Sequence, residues 1–192
     1  MKILFLNGPP RSGKDTAASY LHDKYGAYTT KFAKALKEAT HALYGLGALP
    51  DDHFEASKSK PNQVFFGLTP RQAYIKVSEE LVKPVLGKDF FGQVMLETCK
   101  RAEGEGHDLI AISDSGFADE AQPLIDYFGP EQVYLVHIYA ESRGCTFEND
   151  SRSYIKLPGL PLDNVWVLNN NSFIVDYHKQ IDHMMKHVLL HP

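Results

Sequence analysis

Residues 7–19 read NGPPRSGKDTAAS, and within them Gly8, Gly13 and Lys14 satisfy G-x-x-x-x-G-K. That spacing suits a loop that wraps phosphate groups. Glycines let successive backbone N–H groups turn inward around anionic oxygens, and a helix that follows adds its own N-terminal N–H groups. Lys14 would supply a mobile ammonium to the β- and γ-phosphates of a nucleoside triphosphate, and Arg11 a second cation. Ser12 and Thr16 complete the run. Asp15 stands where such loops carry a magnesium-binding Ser or Thr. Its carboxylate suits Mg²⁺, directly or through water, and Thr16 offers a hydroxyl one position late. The simpler alternative is an acid in a first helical turn, favoured by the helix dipole.

Other candidates lie further along. Asp114 ends the apolar run DLIAIS, at the sheet edge where open α/β folds gather ligands, and there it would support Mg²⁺ through water; otherwise it caps the next helix. Arg71 falls in a first helical turn, where a cation is disfavoured unless an anion is bound. This marks it for an acceptor phosphate, with Gln72 and Lys88 as neighbours, or else for a surface ion pair. Arg143 and Arg152 flank a polar segment and carry the positive charge that phosphoryl transfer requires, unless that segment is only a solvated loop. Phe32, Tyr74, Phe90 and Phe91 would stack on a base or fill the core. His183 and His187 are four apart without an H-E-x-x-H pattern and read as a solvated helix face; Cys99 and Cys145 read as inert.

The elements that must position these groups alternate. KILFLNG reads as a strand buried on both faces, and GKDTAASYLHDKYG as the helix after it, so the loop has the strand–loop–helix context it needs. YTTKFA is a short strand. AKALKEATHALYG is a helix with Leu36, Ala39, Thr40 and Leu43 on one face. Residues 51–67 read as a loop or mobile insertion. TPRQAYIKVSEELVKPVLG is a helix capped by Thr69 and kinked or ended by Pro84. KDFFGQVMLETCKRAEGEG and FADEAQPLIDYFG are helices, the second with Pro123 inside. DLIAISD, QVYLVHIYA and NVWVLNN are strands. Ser172 caps a last helix bearing Phe173, Tyr177, Ile181, Met184 and Val188. The pattern predicts one doubly wound α/β domain over 1–192, with a mostly parallel sheet and flanking helices.

A chain of 192 residues with 43% hydrophobic and 23% charged residues supports a real core. A net charge of −4 supplies no field for a nucleic-acid polymer, and no apolar run is long enough for a bilayer. Two isolated cysteines and the lack of a cleavable leader point to a reducing cytoplasm, the host's if a phage encodes the chain.

Taken together, FLNGPPRSGKDTAASYL resembles the opening of bacteriophage deoxynucleoside monophosphate kinases, whose loop reads R-S-G-K-D-T. Arg11, Ser12, Gly13, Lys14, Asp15 and Thr16 match it position by position. KFAKALKEA, TPRQAY, ISDSGFADEA and the NN after the last strand agree in order. The resemblance implies a P-loop kinase fold, an acceptor-binding insertion over about 45–90 and a lid over about 141–157. It also implies transfer of the ATP γ-phosphoryl group to a deoxynucleoside 5′-monophosphate with Mg²⁺. A homodimer stays open, as do another small-molecule acceptor and a non-catalytic nucleotide-binding role. One departure stands out: relatives often read D-V-R-F where this chain has Asp114-Ser115-Gly116-Phe117, so an arginine is replaced by Gly116.

Overall fold

Strand β1 (Lys2–Asn7) turns Leu4 and Leu6 to one face and Ile3 and Phe5 to the other, and all four are fully buried. A strand apolar on both faces needs cover on both sides. Leu4 and Leu6 pack with Ala17, Ala18 and Leu21 of α1 (Lys14–Tyr25) and with Tyr177, Ile181 and Met184 of α7 (Ile174–Leu190). Ile3 and Phe5 pack with Met95, Leu96 and Cys99 of α5 (Phe90–Gly104) and with Ala121 and Leu124 of α6 (Ala118–Phe128). Each such aliphatic side chain contributes about 1.5–3 kcal/mol relative to exposure. The computed structural model describes residues 1–148, 150 and 152–190.

The remaining strands are β2 (Tyr28–Thr30), β3 (Leu109–Ile112), β4 (Val133–Tyr139) and β5 (Val165–Asn169). They pair in the order β2-β3-β1-β4-β5, parallel throughout. β1 is therefore central, and the segments after β1 and β3 emerge side by side at one sheet edge. β5 is an edge strand, with Val165 and Val167 exposed.

Between β2 and α5 lie α2 (Ala33–Leu43), α3 (Pro70–Lys76) and α4 (Lys83–Leu86). The helix expected over 69–86 is interrupted: residues Val77–Val82 form a π turn between α3 and α4. Pro84 lacks an N–H, and its ring would meet the carbonyl one turn back, so the preceding turn widens. Pro123 sits inside α6 without ending it. Residues 51–67 form no α-helix or strand, as expected of a loop, but the loop is packed. Two 3₁₀ turns, Glu55–Ser57 and Gln63–Phe65, bring Phe54 and Phe65 together with Ala73, Tyr44 and Leu49 in a small core of their own. Two positions expected on buried faces are exposed: Leu43, and Phe173 at 82%.

Helices α5 and α6 approach closely because position 92 is glycine; an added Cβ would overlap the Glu120 carbonyl of α6. Gly92→Ala is expected to destabilise the protein by about 1–3 kcal/mol. Urea unfolding measures this, and an unchanged midpoint would show that the two helices separate freely.

Candidate active site

The loop between β1 and α1 has the backbone its sequence requires. Gly13 has φ 104°, and Arg11, a non-glycine, holds φ 64°. An arginine in the left-handed region is strained, and such strain concentrates at functional loops. Gly8 is required for space: a Cβ there would lie 2.6 Å from the Ile138 carbonyl oxygen and 2.7 Å from Ser12 Oγ. Asn170 Nδ2 donates to the Ser12 carbonyl at 2.9 Å, and Tyr177 Oη donates to the Gly13 carbonyl at 3.2 Å. The loop is thus fastened from behind by residues after β5 and on α7. Among the described residues Ser12 Oγ is buried with no hydrogen-bond partner, as is Asn170 Oδ1. A buried unpaired hydroxyl in this glycine-bearing loop fits a loop built for an anion.

Lys14 is buried, and its Nζ donates to the Gly8 and Pro9 carbonyls at 2.7 and 2.6 Å. Burial, with the Arg152 charge nearby, pulls its pKa down to about 8. Asp15 is exposed on the first turn of α1, as is Thr16. Lys31 Nζ lies 2.8 Å from Asp15 Oδ1, and Ser113 Oγ donates to the same oxygen at 2.9 Å. Burial would raise the Asp15 carboxyl, but Lys31 and Ser113 outweigh it and hold it below its ordinary value. An opening of about 350 Å³ adjoins these groups, lined also by Ser19, Lys34, Asp51 and Asp52.

Asp114 lies close enough for its charge to act on Lys14 of the loop. Its Oδ1 and Oδ2 accept from the Phe32 and Ala33 N–H groups at 2.7 and 2.9 Å. It therefore caps the start of α2, a helix distant in sequence, and not the helix that follows it. Phe32 is buried and stacked on Phe5, with ring centroids 6.2 Å apart, while it also lines a smaller cavity. That cavity, about 120 Å³, is walled by Phe32, Phe91, Phe117, Asp114, Glu120 and Arg152.

Arg152 is held by Asp150, which accepts from its Nε at 2.9 Å and from a terminal nitrogen at 2.8 Å. Arg71 reaches the same carboxylate at 3.5 Å, so Asp150 lies between two arginines with its side chain only 3% exposed. The Arg152 hydrogen bonds pull Asp150 down to about 2 and raise Arg152 further. The stem of Arg152 fills the space beside Gly116, where any Cβ would overlap its Cγ and Cδ. The arginine missing from the D-x-x-F segment is thus matched by one arriving from the segment after β4.

Other expected residues have different roles. Gln72 is spent in a capping box: its Oε1 accepts from the Thr69 N–H, and its own N–H donates to Thr69 Oγ1. Its side chain therefore belongs to the start of α3. Lys88 borders a separate opening with Gln93, Asp119 and Asp126, away from the aromatic cavity. Arg143 donates to the Ser172 carbonyl at 2.6 Å, so the two arginines of the 141–157 segment have different partners. Asn149 and Ser151 of that segment lie outside the described residues. Its C-terminal part is anchored, with Ile155 and Leu157 in the core.

Asn7 is among the residues that sequence reasoning missed, with Lys31, Ser113 and Glu120. Its Nδ2 donates to the Ser115 and Ser153 carbonyls at 2.8 and 3.0 Å, and its Oδ1 accepts from Ile155 N–H. It ties the end of the central strand to both the Gly116 and the Arg152 segments. The available signal was a polar residue closing the apolar run KILFL.

No family model matches the chain. Among solved structures it is similar to an unliganded sugar kinase from Janibacter sp. HTCC2649, with TM-score 0.53, 14% identity and coverage of 100% of this chain and 96% of that one. It is also similar to a putative kinase from Chloroflexus aurantiacus, with TM-score 0.52, 16% identity and coverage of 100% and 97%. The parallel sheet, the glycine-rich loop on α1 and these likenesses define a P-loop kinase fold. In sequence, the chain is 30% identical over 189 residues to a putative deoxynucleotide monophosphate kinase of Acanthamoeba polyphaga mimivirus, covering 94% of each. It is 38% identical over 53 residues to the deoxynucleotide monophosphate kinase of Enterobacteria phage T4, 28% of this chain and 22% of that protein. The chain belongs to the deoxynucleotide monophosphate kinase family. Among the described residues no helix is long and apolar enough to cross a membrane.

Proposed function

We propose that the protein transfers the γ-phosphoryl group of ATP to a deoxynucleoside 5′-monophosphate, giving ADP and a deoxynucleoside diphosphate. The observation that carries this reading is the position of Arg152. Its charge acts on Lys14 of the phosphate loop, and its side chain lines the aromatic cavity. A phosphate held there would sit between a donor loop and a base-sized, aromatic-walled cavity.

In this reading the loop N–H groups of residues 8–16 and the start of α1 take the ATP phosphates. Lys14 leaves the Gly8 and Pro9 carbonyls for phosphate oxygens, and their charge keeps it protonated. Arg71 and Arg152 exchange Asp150 for the acceptor phosphate, and Arg11 and Arg143 border the donor side. The acceptor phosphate is already ionised near neutral pH, so no general base is needed; catalysis is alignment and charge stabilisation.

The donors present fit Mg²⁺, which keeps several waters and takes one or two carboxylates plus substrate phosphates. Asp15, with its side chain 74% exposed, and the Ser113 hydroxyl would hold it. Bound there, the ion would neutralise charge on the phosphates. Asp15→Ala is expected to raise the Mg²⁺ concentration for half-maximal activity several-fold, whereas Asp15→Ser changes it little. If the Ala variant keeps the wild-type Mg²⁺ requirement and ATP affinity, the carboxylate serves only the helix start.

The function itself is tested by coupled ADP release with Mg-ATP across the four deoxynucleoside monophosphates, with shikimate and simple sugars as controls. Turnover confined to the nucleotides is expected. Folded protein inactive with all four would overturn the reading.

A further inference from the structure

Glu120 is a carboxyl for which phosphoryl transfer has no use. It lies in the first turn of α6, only 6% exposed, and among the described residues no hydrogen bond or ion pair reaches its side chain. An acid in a first helical turn is favoured by the dipole, but the adjacent Asp119 meets that preference while staying in solvent. A carboxyl this poorly solvated and without a partner is costly, which calls for another explanation.

The surroundings supply one. Glu120 lines the 120 Å³ cavity with the rings of Phe32, Phe91 and Phe117, and Arg152 lies in the same wall. The Lys83 ammonium covers the Phe117 ring 4.2 Å from its centroid. Aromatic walls hold the π face of a planar heterocycle whatever its identity, and a few placed polar groups set its orientation. We propose that Glu120 reads the acceptor's base, its carboxyl hydrogen-bonding the polar edge of a nucleobase laid among these rings. The inference rests on the kinase reading above and extends it to the choice of acceptor.

The chemistry of the carboxyl indicates which bases fit. Burial pushes Glu120 up to about 8; Lys83 opposes this, Asp114, Glu79 and Asp119 reinforce it, and the Arg152 guanidinium faces it from the segment after β4. Burial thus favours the neutral acid near neutral pH, with one donor and one acceptor side by side. Each of the four DNA bases presents an adjacent donor and acceptor on its pairing edge, and the O–H can sit on either oxygen. An ionised carboxylate, which only accepts, would match guanine alone. A neutral Glu120 thus serves a site that takes several bases.

Two variants separate this from a packing role. Glu120→Gln keeps one donor and one acceptor; Glu120→Met keeps the length and removes both. Steady-state kinetics would be run with each deoxynucleoside monophosphate at saturating Mg-ATP, with 2-deoxyribose 5-phosphate as a base-free competitive inhibitor. For Glu120→Met, the KM for every nucleotide acceptor is expected to rise about tenfold or more, as loss of a paired base contact demands. The kcat, the KM for ATP and the inhibition constant of the sugar phosphate should stay within about twofold of wild type, and Glu120→Gln should remain near wild type throughout. An unchanged acceptor KM in Glu120→Met, or an equal loss for the base-free sugar phosphate, would overturn the inference. Wild-type protein inactive with all four nucleotides would instead remove the kinase reading on which it rests.

Discussion

Lys14→Met is expected to lower kcat/KM by about 10³-fold while leaving the unliganded protein at least as stable as wild type. The two effects have one cause. Lys14 is buried against the Gly8 and Pro9 carbonyls, and burial depresses its pKa to about 8 from the usual lysine range. Between that value and the ordinary one the unfolded chain binds more protons than the folded protein, so stability rises with pH across this interval. Below it, the folded protein carries the full cost of a charge held out of water. Polyphosphate converts that cost into binding, since an ammonium already stripped of water meets anionic oxygens with little further desolvation. Methionine keeps the stem and removes the charge. Activity within tenfold of wild type would show that the ammonium does not follow the transferring group. A Lys14→Met protein that melts well below wild type near neutral pH would show that the two carbonyl bonds outweigh the buried charge.

Arg152→Ala and Gly116→Leu are expected to fail in the same way, each losing about 10²–10³-fold in kcat/KM. Alanine removes the guanidinium and leaves Asp150 with Arg71 alone, at 3.5 Å. Leucine leaves the arginine in the chain but drives its stem from the space beside Gly116. Because both changes remove one interaction, the double variant should be no worse than either single, the signature of strong coupling. The exchange Gly116→Arg with Arg152→Gly puts a guanidinium back from the opposite segment and should recover at least about tenfold over Arg152→Gly alone. Additive losses, or an exchange no better than the single change, would mean that position 116 is small for a reason unrelated to Arg152. Thermal unfolding of each variant separates misfolding from loss of the charge.

Much of this protein was legible along the chain. The phosphate loop is a local code: Gly8, Gly13 and Lys14 lie within seven residues of one another, and the conformations they require are set by neighbouring atoms. The apolar runs of β1, β3 and β4 announced strands buried on both faces, and their alternation with helices announced the parallel sheet. Even the engagement of Gln72 was readable, since Thr69-x-x-Gln72 is a capping box. Only tertiary structure decided the rest, because those contacts join residues whose separation carries no period. Asp114 caps a helix that begins 81 residues before it, and Asn7 reaches Ser153 across 146. The aromatic cluster around Phe65 orders a polar stretch whose own pattern is weak. The pairing of Arg152 with the gap at Gly116, and the burial of Glu120 among three rings, arise when β1 and β3 place their following segments side by side. The sequence determined the glycine-rich loop; the packing of distant segments decided that Arg152 and Glu120 line one cavity.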